Sequence, residues 1–98
     1  LNELFRNGPE TMRYGPAEIL YGWHQISTFR STRWAGGKRR LYDTIVTTYG
    51  RDCAVAATLY ERAVLNGRIG RQMQTWARFP EGWRIVAAHV SSIEPPKA

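Results

Sequence analysis

The chain is poor in the residues on which metal and redox chemistry depend. Cys53 is its one cysteine, so no internal disulfide can form and no thiolate pair is present for a zinc site. The two histidines, His24 and His89, stand at no ligand spacing from each other or from Cys53, which argues against a metal. Cys53 also opens a strand with no histidine beside it, which argues against an activated thiol. No apolar run approaches the roughly 20 residues that a membrane span needs, and no signal-peptide pattern opens the chain. A cytoplasmic location is therefore expected, with no membrane, metal or organic cofactor. Lysine is scarce as well: twelve of the fourteen basic residues are arginine.

What is present describes a folded chain. Hydrophobic residues make up 43% of the 98 positions, with four Trp and five Tyr, which separates it from disordered sequences. That length suits one domain with a single core. The net charge of +6 raises the question of nucleic acid. Only Lys38-Arg39-Arg40, after Gly36-Gly37, forms a true cluster, however, and the other arginines are spread singly. Nucleic-acid binding is the weakest of three readings on this pattern.

The residue period divides the chain. Leu1, Leu4 and Phe5 fit the end of a helix already under way, which Asn7-Gly8-Pro9 terminates. This start reads as the tail of a helix whose beginning precedes Leu1. Glu10–Tyr14 reads as a short extended segment, and Ala17–Tyr21 as a second short strand or an irregular lead into a helix over Trp23–Arg33. From Leu41 the period changes from 3.6 to 2. Leu41–Tyr49, Cys53–Leu65 and the two arms of a hairpin from Arg68 to Ile93 read as four long antiparallel strands. Gly50-Arg51-Asp52, Asn66-Gly67 and Phe79-Pro80-Glu81-Gly82 supply their turns. On this reading Ile85, Ala87, His89 and Ser91 share one face of the last strand. Apolar residues occur on both faces, so one face is expected to be covered by helices and the other by a second copy of the chain.

Thr11-Met12-Arg13-Tyr14-Gly15, Glu18, Leu20-Tyr21-Gly22, Ile26, Phe29-Arg30 and Arg33 resemble the first half of the AtzH-like (DUF3225) proteins, within the nuclear transport factor 2-like and SnoaL-like superfamily. So do Thr47-Thr48-Tyr49-Gly50-Arg51, Gly70-Arg71-Gln72, Gln74-Thr75-Trp76 and the ending from Pro80 to Ser91. The resemblance covers nearly all 98 residues. It implies an α+β cystatin/NTF2-like cone, a curved antiparallel sheet of about four long strands packed on helices, in one domain over 1–98 that lacks the first helix. It also implies a homodimer through the sheet, and a lyase activity: decarboxylation of a small dicarboxylated urea. The catalytic pair it implies is the arginine of the Thr-x-Arg segment, here Arg13, and a tyrosine on a first helix, whose segment would precede Leu1.

Each candidate residue has two readings. Arg13 either grips a substrate carboxylate through its fork of donors or pairs structurally with Glu18 or Glu10. His89 either faces a pocket, where it can bind or move a proton, or is a core histidine bonded to Ser91 or a backbone carbonyl. Arg71 and Thr75 on one strand face, and Gln72 and Gln74 on the other, either line a ligand cleft or face solvent. Tyr21 either caps the pocket with its hydroxyl or is half-buried with that hydroxyl satisfied. Arg30 and Arg33, one turn apart, either clamp an anion or pair with Glu18 or Asp43. Taken together, the expected function is a small-molecule enzyme that decarboxylates or hydrolyses a small carboxylated, urea-like compound. Arg13 would be catalytic there, and Tyr21, Arg71, Thr75 and His89 would bind substrate. The alternative is a non-catalytic ligand-binding or dimerisation module.

Overall fold

The longest elements are the arms of the final hairpin, β5 (Ile69–Phe79) and β6 (Gly82–Ile93), in a computed structural model that describes residues 4–32 and 39–95. Pro80 and Glu81 close the hairpin between Phe79 and Gly82, and Gly82 has φ 119°, a conformation that strains any side-chain-bearing residue. Before it come β1 (Met12–Tyr14), β2 (Ile19–Tyr21), α1 (Trp23–Thr32), β3 (Arg40–Tyr49) and β4 (Cys53–Glu61). The six strands form one sheet in the order β2-β1-β6-β5-β4-β3. The four long strands meander antiparallel, as their sequence implies, while β1 joins β6 in parallel and makes the sheet mixed. The fold is a curved α+β cone, one helix over a mixed sheet, as the resemblance implies.

Three elements differ from the sequence reading. Phe5 is not helical; it bridges Ile85 in parallel, and the Arg6 amide donates to the Ile85 carbonyl at 2.8 Å. Residues 1–3 lie outside the described residues, as do Arg33, Gly36, Gly37 and Lys38. The strand expected to run to Leu65 stops at Glu61, which pairs with Arg40, the first residue of β3. Ala63–Leu65 is instead a 3-10 turn. The third difference lies within β6. A register shift between Thr75 and Trp76 pairs Trp76 with Ile85 but Thr75 with Ala87, so Val86 is bulged. Ile85 and Ala87 therefore lie on opposite faces rather than sharing one.

The alternation of strand side chains gives the sheet an inner face, under α1, and an outer face. Ile26 and Trp23 of α1 pack on Phe5, Leu20, Trp76, Ile85 and Ala88. Ile26 is 1% exposed and is the most deeply enclosed large side chain described. The helix begins after Gly22, at φ 84°, with the Gly22 carbonyl accepting from the Ile26 amide. Gln25 Oε1 caps this start by accepting from the Tyr21 amide at 2.8 Å.

Candidate functional site

Arg13 is placed on the inner face by its register with Leu20 on one side and Ala88 on the other. At 5% exposure it is buried, together with Thr11, whose hydroxyl donates to the Arg6 carbonyl. Its Nη1 donates to Glu18 Oε1 across the β1–β2 turn. That turn closes with the Gly15 amide donating to the Glu18 carbonyl at 3.0 Å. A Cβ at Gly15 would lie 1.7 Å from Glu18 Oε1 and 2.9 Å from Arg13 Nη1, so the ends of these side chains would have to shift to admit one. The guanidinium carbon is 5.6 Å from the centroid of the Phe29 ring of α1, within cation–π range. Arg13 therefore has the Glu18 partner foreseen in its structural reading, and it lies beneath the helix rather than at an open rim. A guanidinium has five donors, and Glu18 takes one on Nη1.

From Arg13 one register row crosses the inner face through Ala88, Gln74, Ala56 and Val46. Its far part floors a cavity of about 380 Å³ between Val46, Ala56, Gln74, Trp76 and Trp83. Gln74 Oε1 accepts from the Trp76 indole at 3.1 Å, which turns an amide toward this apolar space. The cavity is thus apolar with one oriented amide, and a buried cation stands in the same row.

Tyr21, Arg71, Thr75 and His89 all lie on the outer face, because each stands one or three residues along its strand from Leu20, Gln74 or Ala88, which share the inner face with Arg13. Arg71 and His89 meet there in a groove of about 600 Å³, with Asp43, Ile45, Met73 and Ser91. Arg71 Nε donates to Ser91 Oγ at 3.2 Å, and His89 is exposed. Thr75 lies off this groove, level with Ala87. Tyr21 is also outside it; its hydroxyl is 3.0 Å from that of Tyr14, with the rings edge-to-face. The hydrogen bond with Tyr14 raises the pKa of Tyr21 above its ordinary 10.0. The structure therefore brings Arg71 and His89 together and separates all four outer residues from Arg13.

The sequence named Glu18 only as a possible partner, and the signal for its role was the short Gly15-Pro16-Ala17 turn that returns it to Arg13. The Arg30 side chain and all of Arg33 fall outside what the structure describes. Among the described residues, no three of His, Cys, Asp and Glu group as metal ligands, and no helix is long and apolar enough to cross a membrane.

A family model described as AtzH-like matches residues 1–96. Among solved structures, a DUF3225 protein of unknown function from Pectobacterium atrosepticum is 52% identical, with a TM-score of 0.89 over 95% of this chain and 73% of that one. A cystatin-like fold protein from Burkholderia xenovorans is 47% identical, with a TM-score of 0.90 over 97% and 75%. An NTF2-like superfamily protein from Salmonella enterica is 29% identical, with a TM-score of 0.76 over 98% and 77%. No curated protein matches. With matched segments that run from the buried arginine of β1 through the last strand, the chain belongs to the AtzH-like family.

Proposed function

We propose that this chain carries the substrate pocket of a small-molecule enzyme that decarboxylates or hydrolyses a small carboxylated, urea-like compound without a metal or organic cofactor. The observation that carries the reading is Arg13, a cation buried under α1 on the same inner face as the cavity, whose floor begins two strands away in its register row, at Gln74. A carboxylate entering that row meets a fixed guanidinium in surroundings where water competes poorly, so a two-bond grip is strong. If an N-carboxylate is lost as CO2, the C–N bond breaks with its electron pair left on nitrogen, which then takes a proton. Arg13 would orient the carboxylate and offset the negative charge during that change. Glu18 holds the guanidinium plane and is its resting counter-charge. Tyr21, Arg71, Thr75 and His89, on the other face, are left to a different role.

The test compares Arg13→Lys and Glu18→Gln with the unaltered protein, measuring release of CO2 from N-carboxylated urea and affinity for malonate as a small dicarboxylate probe. Arg13→Lys keeps the charge but loses the paired geometry, and is expected to weaken malonate binding at least about tenfold, with a loss of turnover at least as large. Malonate affinity unchanged in folded Arg13→Lys would retire Arg13 as a site residue.

A second reading, a non-catalytic dimerisation module, draws on the outer face. Ile19, Tyr21, Ile45 and Met73 are exposed there by 66%, 53%, 65% and 54%. A second copy packed on this face would cover them, together with Arg71 and His89. A monomeric mass by light scattering at high micromolar concentration would overturn it.

A further inference from the structure

Two register rows define the floor of the inner cavity. Gln74, Ala56 and Val46 make one, and Trp76, Ala54 and Thr48 the next. Both floor positions on β4, the middle strand, are alanine, so the floor sinks between the larger side chains of β3 and β5. Trp83 of β6 borders this trough. An indole N–H donates and cannot accept. The Trp76 indole donates to Gln74 Oε1 at 3.1 Å, so the amide is held with its oxygen toward Trp76 and its Nε2 donors away from it. Among the described residues those donors have no acceptor.

The walls carry no charge: among the described residues, no Asp, Glu, Lys or Arg borders the cavity. The cations nearest along this face are turned elsewhere. Arg78, level with Trp83, pairs with Asp52 at 3.0 Å, and Arg39 donates to Gln72 at 2.9 Å. A carboxylate placed in the trough would shed its water against indole and methyl groups with no cation to offset the loss. A neutral carbonyl oxygen gives up far less hydration and can still accept from the Gln74 amide.

We infer that Gln74 is a specificity residue of the pocket, its Nε2 donating to an uncharged carbonyl oxygen at the end of the ligand away from Arg13. The inference rests on the reading of Arg13 as the carboxylate grip, and it adds what the other end must be. Ala88 separates Arg13 from Gln74 in their row, and two strand spacings, about 10 Å, lie between the two backbones. A ligand that touches both is elongated and singly charged, with a carboxylate at one end and a urea-type or amide carbonyl at the other. The doubly carboxylated urea that the resemblance implies therefore suits this pocket less well than a singly carboxylated one.

Magnetic-resonance titration of the isotope-labelled protein with acetylurea, an uncharged acyl urea, and separately with malonate tests the inference. Acetylurea should displace the Gln74 side-chain amide and Trp76 indole resonances saturably. Gln74→Met keeps the bulk and removes the donors, and should weaken acetylurea binding at least about fivefold, read on the Trp83 indole. Trp76→Phe keeps a ring but frees the amide to turn, and should weaken it about twofold to fivefold. Both variants should bind malonate as the unaltered protein does, and Arg13→Lys should bind acetylurea unchanged, so failure at Gln74 and failure at Arg13 are read separately. Melting curves on each variant establish that the binding protein is folded. Acetylurea that does not saturate, or that binds folded Gln74→Met or Trp76→Phe as tightly as the unaltered protein, would overturn the inference. So would malonate that saturates the Gln74 resonances as tightly as acetylurea does.

Discussion

Arg13 and Glu18 form an ion pair beneath α1, with side chains only 6% and 15% exposed. A pair this enclosed is poor evidence of net stabilisation, since desolvation offsets much of the attraction, but breaking it is costly. Glu18→Gln leaves the guanidinium buried without its counter-charge and should cost about 3 kcal/mol, visible as a fall in melting temperature of more than about 10 °C. Gly15→Ala should cost less than Glu18→Gln, because its Cβ meets only the movable ends of the two side chains and leaves both charges present. A melting temperature unchanged in Glu18→Gln would mean that the pair does not hold the β1–β2 turn.

Ile26 is the point at which α1 is fixed to the sheet. Ile26→Ala should cost about 2 to 5 kcal/mol, and Ile26→Val about 0.5 to 1.5 kcal/mol. Urea unfolding should show a lower midpoint with an unchanged slope for both. If Ile26→Ala behaves like Ile26→Val, the helix is not anchored through this side chain.

Tyr60 and Gly70 face each other across β4 and β5. A Cβ on Gly70 would lie 2.5 Å from the Tyr60 ring, which is itself only 4% exposed and has little freedom to move. Gly70→Ala is therefore expected to lose about 1 to 3 kcal/mol by overpacking. Adding Tyr60→Leu should recover part of that loss, and a double variant no better than the simple sum would reject the contact as the cause.

The order and alternation of the four long strands were legible in the sequence because period two and the turn residues act locally. Pro80 and Gly82 illustrate this, each placed by its own backbone preference. The parallel pairing of β1 with β6 was not legible, since it joins Met12–Tyr14 to residues far along the chain. The bulge at Val86 was hidden for the same reason: alternation in β6 shows no break, and only the partner strand reveals that Ile85 and Ala87 are separated. This one extra residue decides the site. It leaves Ile85 in the core and His89 on the far face, so a reading that grouped them could not also separate His89 from Arg13. The family resemblance singled out Arg13, and the local Gly15-Pro16-Ala17 turn brings Glu18 to it, but the burial of the pair arises from β6 and α1, which only the tertiary fold brings against it.

Tyr21 offers a pH-dependent measurement. Its hydrogen bond with Tyr14 raises its pKa, so the stability that bond contributes is present below pH 10 and lost as pH rises through the higher folded value. In a difference titration of tyrosinate absorbance, Tyr14→Phe should lower the highest tyrosine transition toward 10. An unchanged titration would show that the two hydroxyls do not interact in solution.

The outer face carries the last prediction. One register row crosses it through Ile45, Ala57, Met73, His89, Tyr14 and Ile19. Five of those six residues are exposed, and four of the exposed ones are large hydrophobics, an arrangement that water disfavours and that a second copy can cover by two-fold symmetry. A stable interface buries about 1,200 to 2,000 Å² in total, which requires most of this row and its neighbours on each copy. Ile45→Glu combined with Met73→Glu places like charges at the centre of that contact, while altering little in a lone chain where both positions face solvent. The unaltered protein should therefore scatter light as a dimer at high micromolar concentration. The double variant should scatter as a monomer with the same circular dichroism, its dissociation constant raised at least about a hundredfold. His89 adds a second readout, since packing against a partner withdraws it from solvent. Its proton resonance should shift with protein concentration in the unaltered chain and stay constant in the double variant. A monomer at every concentration, with His89 insensitive to dilution, would remove the outer face as an interface and leave Arg71 and His89 as residues of an open groove.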